Sequence, residues 1–310
     1  MTAPLSVTAI FATMNRAPTA VACVLALARQ TRPPERVLVA DNVSNDGTAA
    51  ALENLKDLPF ELRVHRMAEN LGNAGGVREV METAFAGGAD AVWILDDDSW
   101  PRGSALEALL DGQWDPHEVR HALQIDPKTG EFTWPMWVDG ASGWKLAFGL
   151  GELPEGVLIP SKSSWTGALI SKQVHQRVGA VNGALFIRGE DEEYPWRIGL
   201  EGFPFVGVRD ALMDHPGPDH LIHWQILGKH FFFERNLPDW KLYYKVRNMV
   251  WLKRRQSGDL RAFSLAVVYG VAAAWIDGIR RFPLVWTAAN DGWEERLGKW
   301  KRHDAGVSRR

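Results

Sequence analysis

The sequence predicts an α/β fold whose first third is a parallel sheet, and three observations carry that expectation. The first hundred residues alternate strand-like and helix-like segments with a period of about thirty, as βα units do. Each strand-like segment ends in polar residues at what would be one edge of the sheet. The last of these segments, Ala91 to Leu95, runs directly into Asp96-Asp97-Asp98. Five apolar residues with a Val, an Ile and a Trp read as a strand buried on both faces. Three carboxylates cannot follow that strand into a core, because an unpaired buried charge is too costly. They must emerge at the carboxyl edge, in the crevice where open α/β folds bind ligands.

Composition sets the outer bounds. The 310 residues are 46% hydrophobic and 24% charged, a globular profile with length for one large domain or two. A net charge of −3 gives no reason to expect nucleic acid as a partner. The single cysteine, Cys23, excludes an intramolecular disulfide and suits a reducing cytosol. Met1 is followed at once by strand-like sequence with no basic or apolar signal region, so a cytoplasmic protein is expected. Fifteen tryptophans serve equally as sugar platforms, membrane-interface residues or ordinary core.

The elements follow in order. Leu5 to Ala12 is a strand delivering Thr13, Asn15 and Arg16, and Ala17 to Ala28 is a helix with one apolar face. Arg36 to Ala40 is the second strand, ending in Asp41-Asn42, and a turn at Asn45 to Thr48 leads into a helix over Ala49 to Leu55. Leu62 to His65 is the third strand. Asn70-Leu71-Gly72-Asn73-Ala74-Gly75-Gly76 then opens a helix from Val77 to Phe85. Those glycines let a backbone approach phosphate, or they simply start a helix. Neither the dinucleotide spacing nor a Walker loop is present, which argues against a nicotinamide cofactor and ATP hydrolysis. The triple Asp reads as a Mg²⁺ or Mn²⁺ site or as a solvated turn ahead of a helix near Gly103. Four ligand-like termini on one edge favour a nucleotide-diphosphate pocket with a metal.

From Gly112 to about Ser164 the periodicity fades into a Trp-, Gly- and Pro-rich stretch, either an acceptor lining or a lid. Strand character resumes at Trp165-Thr166-Gly167-Ala168-Leu169-Ile170. Glu190-Asp191-Glu192-Glu193 precede helical spacing from Tyr194 to Leu200, so Glu190 and Asp191 serve as helix caps or as a general base. Phe203 to Val208 is another strand. His215, in Asp214-His215-Pro216, is a metal-ligand candidate with His220 and His223 as competitors. From Trp240 the chain turns helical, with Tyr243, Arg247, Asn248 and Trp251 on related faces of one helix. Phe263 to Ile276 is nearly all apolar but shorter than the roughly 18–20 residues of a spanning helix. It is expected to pack on the catalytic half, with peripheral membrane contact as a secondary role and a homo-oligomer interface as the rival.

Taken in register, these residues resemble glycosyltransferase family 2, the inverting enzymes of GT-A fold. The resemblance rests on Thr13-x-Asn15-Arg16, Asp41-Asn42, Asn70-Leu71-Gly72 with Gly75-Gly76, and Asp96-Asp97-Asp98. It continues through Thr166-Gly167-Ala168-Leu169, Phe186-Ile187-Arg188-Gly189-Glu190-Asp191, His215-Pro216 and Tyr243-Tyr244-Lys245-Val246-Arg247-Asn248. Several of these motifs are similar to those of bacterial galactofuranosyltransferases that start cell-wall galactan on a lipid carrier, and the last also to rhamnosyltransferases.

The resemblance implies a GT-A domain over 1–225 and a helical region over 226–310. Within the first, 1–111 would be the Rossmann-like nucleotide half and 112–225 the acceptor half. It implies donor contacts from Thr13, Asn15, Arg16, Asp41, Asn70, Gly72, Gly75, Gly76, Asp96 and Asp97. Asp98, Asp96 and His215 would hold Mn²⁺ or Mg²⁺. Asp191 would be the base, with Glu190 as fallback, and Trp165, Gly167, Ala168 and Arg247 would line the acceptor. The implied reaction moves galactofuranose from its UDP donor to a cell-surface or polyprenyl-diphosphate-linked glycan at the cytoplasmic face of the inner membrane. A dTDP-rhamnose enzyme and a non-catalytic nucleotide- or glycan-binding module are the rivals.

Overall fold

The computed structural model describes residues 5–112, 114–140, 143–218, 221–226 and 229–302. The chain divides into two compact units, one of residues 1–182 with 191–217 and one of 183–190 with 218–310.

The first unit is built on one sheet. Its parallel part is β1 (Val7–Thr13), β2 (Arg36–Asp41), β3 (Glu61–Arg66) and β4 (Ala91–Ile94), crossed by α1 (Ala17–Ala28), α2 (Thr48–Glu53) and α3 (Gly72–Ala86). Pairing runs β3-β2-β1-β4, with β1 and β4 fully buried, as their apolar runs require. Helix α3 begins at Gly72, five residues earlier than the sequence predicts, so Gly75 and Gly76 are buried helical residues. The reason is packing. A Cβ on Gly76 would lie 3.0 Å from the Ala12 Cβ and 3.2 Å from the Ala40 Cβ, so glycine lets α3 press against β1 and β2.

The remaining strands follow after β4. They are β5 (Trp100–Pro101), β6 (Val119–Ile125), β7 (Met136–Gly140), β8 (Gly143–Ala147), β9 (Leu158–Ser161), β10 (Ala168–Ser171) and β11 (Phe205–Asp214). They carry the sheet on as β4-β10-β6-β11-β9-β7-β8, with β5 pairing separately with β11. Helices α4 (Ala105–Leu110), α5 (Lys172–Val178) and α6 (Glu190–Leu200) complete the elements of this stretch. The stretch from Gly112 to Ser164, expected to be loops and short strands, contains the seven-residue β6, a buried strand between β10 and β11. Its Arg120 and His121 disguised it. Arg120 donates to the carbonyls of Leu109 and Asp111 at the end of α4, and His121 Nε2 lies 2.8 Å from the Ser161 hydroxyl. Burial pushes His121 down to about 4, so it sits neutral in the core.

In the second unit a hairpin of β12 (Leu221–Ile226) and β13 (Lys229–Glu234) precedes α7 (Asp239–Ser257), α8 (Asp259–Ile276) and α9 (Phe282–Trp293). The three helices pack on one another around Tyr244, Val250, Ala262 and Ala288. Helix α8 starts four residues before the predicted Phe263 and reaches 18 residues. It is the one helix among the described residues long and apolar enough to cross a membrane, with 28% of it buried.

Candidate active site

The carboxyl edge of the parallel strands gathers the predicted polar residues of the first unit. Asp96 and Asp98 follow β4, and His215 follows β11; one ligand atom from each lies within 4.8 Å of the others. His215 Nε2 is 3.6 Å from both Asp96 Oδ2 and Asp98 Oδ1. Strand pairing brings them together. A register shift between Val208 and Leu212 lets β11 run on to Asp214, opposite Trp100 of β5. That pairing ends one residue before His215 on β11 and two residues after Asp98 on the other chain segment, which keeps the two close. Arg102 clamps the turn through Asp214 at 2.8 Å. His223 belongs to β12 of the second unit, where its Nε2 lies 2.8 Å from His230 Nδ1, and His220 lies outside the described residues.

Electrostatics match the geometry. Burial alone would lower the pKa of His215, but Asp96 and Asp98 outweigh it and hold the imidazole above its ordinary value. Burial also opposes ionisation of Asp96, yet His215 with hydrogen bonds from Thr166 and Trp165 keeps it below the usual range. Two carboxylates and an imidazole converging in this way suit a hard or borderline divalent cation. Mg²⁺ and Mn²⁺ both fit this donor set.

Asp97 points elsewhere. Its Oδ2 accepts from Thr13 Oγ1 at 2.7 Å and its Oδ1 lies 3.4 Å from Arg16, while Arg16 also reaches Asp98 at 2.7 Å. Burial, only partly offset by Arg16 and Thr13, pushes Asp97 up to about 7. Asn15 adopts a φ of 54° and its side chain accepts from Asn45 N, fixing the loop after β1. Asp41 is fully buried, accepts from Ser44 N and lies 3.3 Å from Arg66 Nε. Asn42 bridges Leu71 N and Gly72 O, and Asn70 accepts from Gly72 N, so the loop ahead of α3 is fixed by side chains.

The expected acceptor residues have diverse surroundings. Gly167 (φ +86°) accepts from Trp93 Nε1 and Ala122 N, and Ala168 is buried in β10, so both serve the sheet. Trp165 is mostly buried, packed edge-on against Tyr194 at 6.4 Å. That contact matters because Trp165 also touches Asp96, and Tyr194 lies one turn along α6 from Asp191. Asp191 is exposed in the first turn of α6, whereas Glu190 is buried.

Arg247, expected to meet the acceptor directly, is 1% exposed and committed elsewhere. It donates to Leu185 O, Gly298 O and Asn248 Oδ1, and Asn248 Nδ2 donates to Leu185 O, Ile187 O and Arg188 O. This pair clasps the segment that leads into Glu190, in which Phe186 and Arg188 both adopt φ of 66°. Thr166 and Arg66 were not singled out as site residues from sequence. Each owes its place to a neighbouring strand, and only the motif around Thr166 carried a signal.

Comparison with known proteins decides the family. Residues 8–155 match the model of glycosyl transferase family 2. The chain is 30% identical over 230 residues to galactofuranosyltransferase GlfT1 of Mycobacterium tuberculosis, covering 68% of this chain and 73% of that protein. The chain belongs to glycosyl transferase family 2. It is a glycosyltransferase of GT-A fold with helices at its C-terminal end. Among solved structures, the mannosyltransferase PcManGT from Pyrobaculum calidifontis in complex with GDP-Man and Mn²⁺ aligns with a TM-score of 0.52 at 17% identity. That alignment covers 99% of this chain and 80% of the mannosyltransferase. S. aureus TarS 1-349 in complex with UDP-GlcNAc aligns at 0.55 and 14% identity, covering 94% and 82%. A longer TarS structure is spanned to 42% of its length. At these identities the structural likeness speaks to the fold alone.

Proposed function

We propose that this glycosyltransferase inverts the anomeric centre while moving galactofuranose from UDP-galactofuranose to a lipid-linked or cell-surface glycan precursor, and that it needs a divalent cation. The convergence of Asp96, Asp98 and His215 at the sheet edge carries the chemical part. The kinship with galactofuranosyltransferases supports the choice of sugar and the cell-wall role.

Residues 1–111 take the nucleotide and 112–225 the acceptor. Asp41 recognises the uracil ring, with Thr13, Asn15, Arg16 and the Asn70 to Gly76 loop around ribose and phosphates. Asp96, Asp98 and His215 would hold Mn²⁺ or Mg²⁺, which when bound would supply positive charge against the leaving diphosphate. Asp191, at the exposed start of α6, removes the proton from the acceptor hydroxyl during in-line attack, worth roughly 10²–10⁴-fold in rate. A single displacement inverts the anomeric carbon. Trp165 ties α6 to Asp96 through Tyr194, which supports a short path between base and donor. Arg247 acts from behind, by holding the backbone ahead of Glu190. The acceptor lipid places the enzyme peripherally on the cytoplasmic face of the inner membrane.

The test is turnover of UDP-galactofuranose against dTDP-rhamnose, with and without Mn²⁺. Metal-dependent transfer from the UDP donor supports the proposal. Turnover of the dTDP donor alone replaces the sugar, and nucleotide binding without turnover of either makes the chain a binding module.

A further inference from the structure

Helix α8 is built inside out. Its buried face carries Ala262, Ala266, Gly270, Ala272 and Ala273. Its exposed face carries Leu260, Phe263, Val267, Val271 and Trp275 at helical spacing, with Leu260 80% and Trp275 82% exposed. The row continues past the helix through Ile279, Phe282 and Trp286, the last two stacked with ring centroids 6.4 Å apart. A water-facing helix has the opposite arrangement, and a contiguous apolar surface of this kind marks an interaction site.

A cavity of about 1160 Å³ opens in the same unit, lined by seven Arg and Lys against two Asp. The two acids are already paired, Asp291 with Arg296 at 2.8 Å and Asp239 with Arg281 at 3.1 Å. Arg280, Lys301 and Arg302 therefore give the cavity a positive excess, with Trp240 and Trp300 in its wall. The wall and the apolar row interleave along the chain. Ile279 and Phe282 belong to the exposed row, while Arg280, Arg281 and Pro283 line the cavity. A bilayer supplies acyl chains for exposed apolar and tryptophan side chains and phosphates for cations close by them in the chain.

We propose that this face of the C-terminal unit seats in an anionic phospholipid bilayer, with a lipid phosphate held in the cationic cavity. The inference rests on the peripheral membrane contact proposed above and names its surface and its lipid chemistry. A second copy of the chain fits the observations less well. A symmetric dimer burying the apolar row would bring two positively charged cavities close together.

The experiment is co-sedimentation of the full chain with vesicles of phosphatidylcholine alone and of phosphatidylcholine with phosphatidylglycerol. Tight, salt-sensitive binding to the second kind is expected. Val271→Ser with Trp275→Ser should abolish binding to both, and Arg280→Glu with Lys301→Glu should weaken the phosphatidylglycerol preference by about tenfold or more. All four positions are exposed, and an unchanged melting temperature confirms folding. Wild-type protein that ignores both vesicles sinks the peripheral reading together with this one. Binding that both double variants retain sinks the named surface alone. Two further results also overturn it: a solution dimer that Val271→Ser with Trp275→Ser splits to monomer, or melting shifts with inorganic phosphate but no vesicle binding.

Discussion

In the first unit the large apolar side chains are inside and the charged ones collect at one sheet edge; in the second, α8 hides alanine and glycine and presents Phe263, Val271 and Trp275 outward. Both units pair buried polar side chains with internal partners. Thr13 meets Asp97, Arg120 meets the carbonyls at the end of α4, and Arg247 meets those of Leu185 and Gly298. What separates them is the surface each leaves uncovered. A polar edge with converging carboxylates is shaped for a charged small molecule. The exposed apolar face of α8 and the cationic cavity are the features the proposed bilayer contact would use. Sequence hydrophobicity alone cannot tell these apart, because it does not record which face of a helix is covered.

The comparison is broken most severely at the acidic edge. His215→Ala or Asp98→Asn should lower transfer by at least 10³-fold, as should chelation of divalent ions, while the melting temperature stays within a few degrees. Unchanged activity in a glycosyl-transfer assay would remove the metal from the account. Asp191→Asn comes next, with an expected loss of roughly 10²–10⁴-fold in kcat and little change in UDP affinity by calorimetry. Full activity in that variant transfers the role of base to Glu190.

Two smaller effects belong to the second unit. Arg247→Met leaves Gly298 O without its side-chain donor and Leu185 O with Asn248 Nδ2 alone, and should cost about 2–4 kcal/mol in urea unfolding. If Arg247 touched the acceptor instead, KM would rise without loss of stability. Glu234 supplies a pH test. Burial opposes its charge, but Arg188 at 2.6 Å and Lys245 at 3.0 Å overcome that and hold it at about 2. A carboxylate depressed in this way contributes stability above its unfolded pKa of about 4.5 and loses it as the pH falls toward 2. Glu234→Gln should therefore flatten the fall in stability between pH 4.5 and 2, a difference of up to about 3 kcal/mol by chemical denaturation.

Much of the first unit was legible because its signals are local. Helix α1 spans Ala17–Ala28 as predicted, and β1 to β4 follow from apolar runs that end in polar residues. The start of α3 was not legible, because glycine reads as loop until Ala12 and Ala40 are seen pressed against it. Strand β6 was hidden for a related reason, its Arg120 and His121 being tolerated only because α4 and Ser161 satisfy them. Arg247 was expected to contact the acceptor, whereas its partners include backbone carbonyls of residues 51 and 62 positions away.

By itself the sequence determined the strand–helix order from β1 to β4, the family, and the residue types available at the sheet edge. Chain-local patterning and motif spacing suffice for those. Only the tertiary structure decided that β5 pairs with β11 so that His215 comes beside Asp98, and that α8 turns its large apolar residues outward. Both depend on which distant segment covers which face, and that is settled by long-range pairing and packing rather than by the order of residues along the chain.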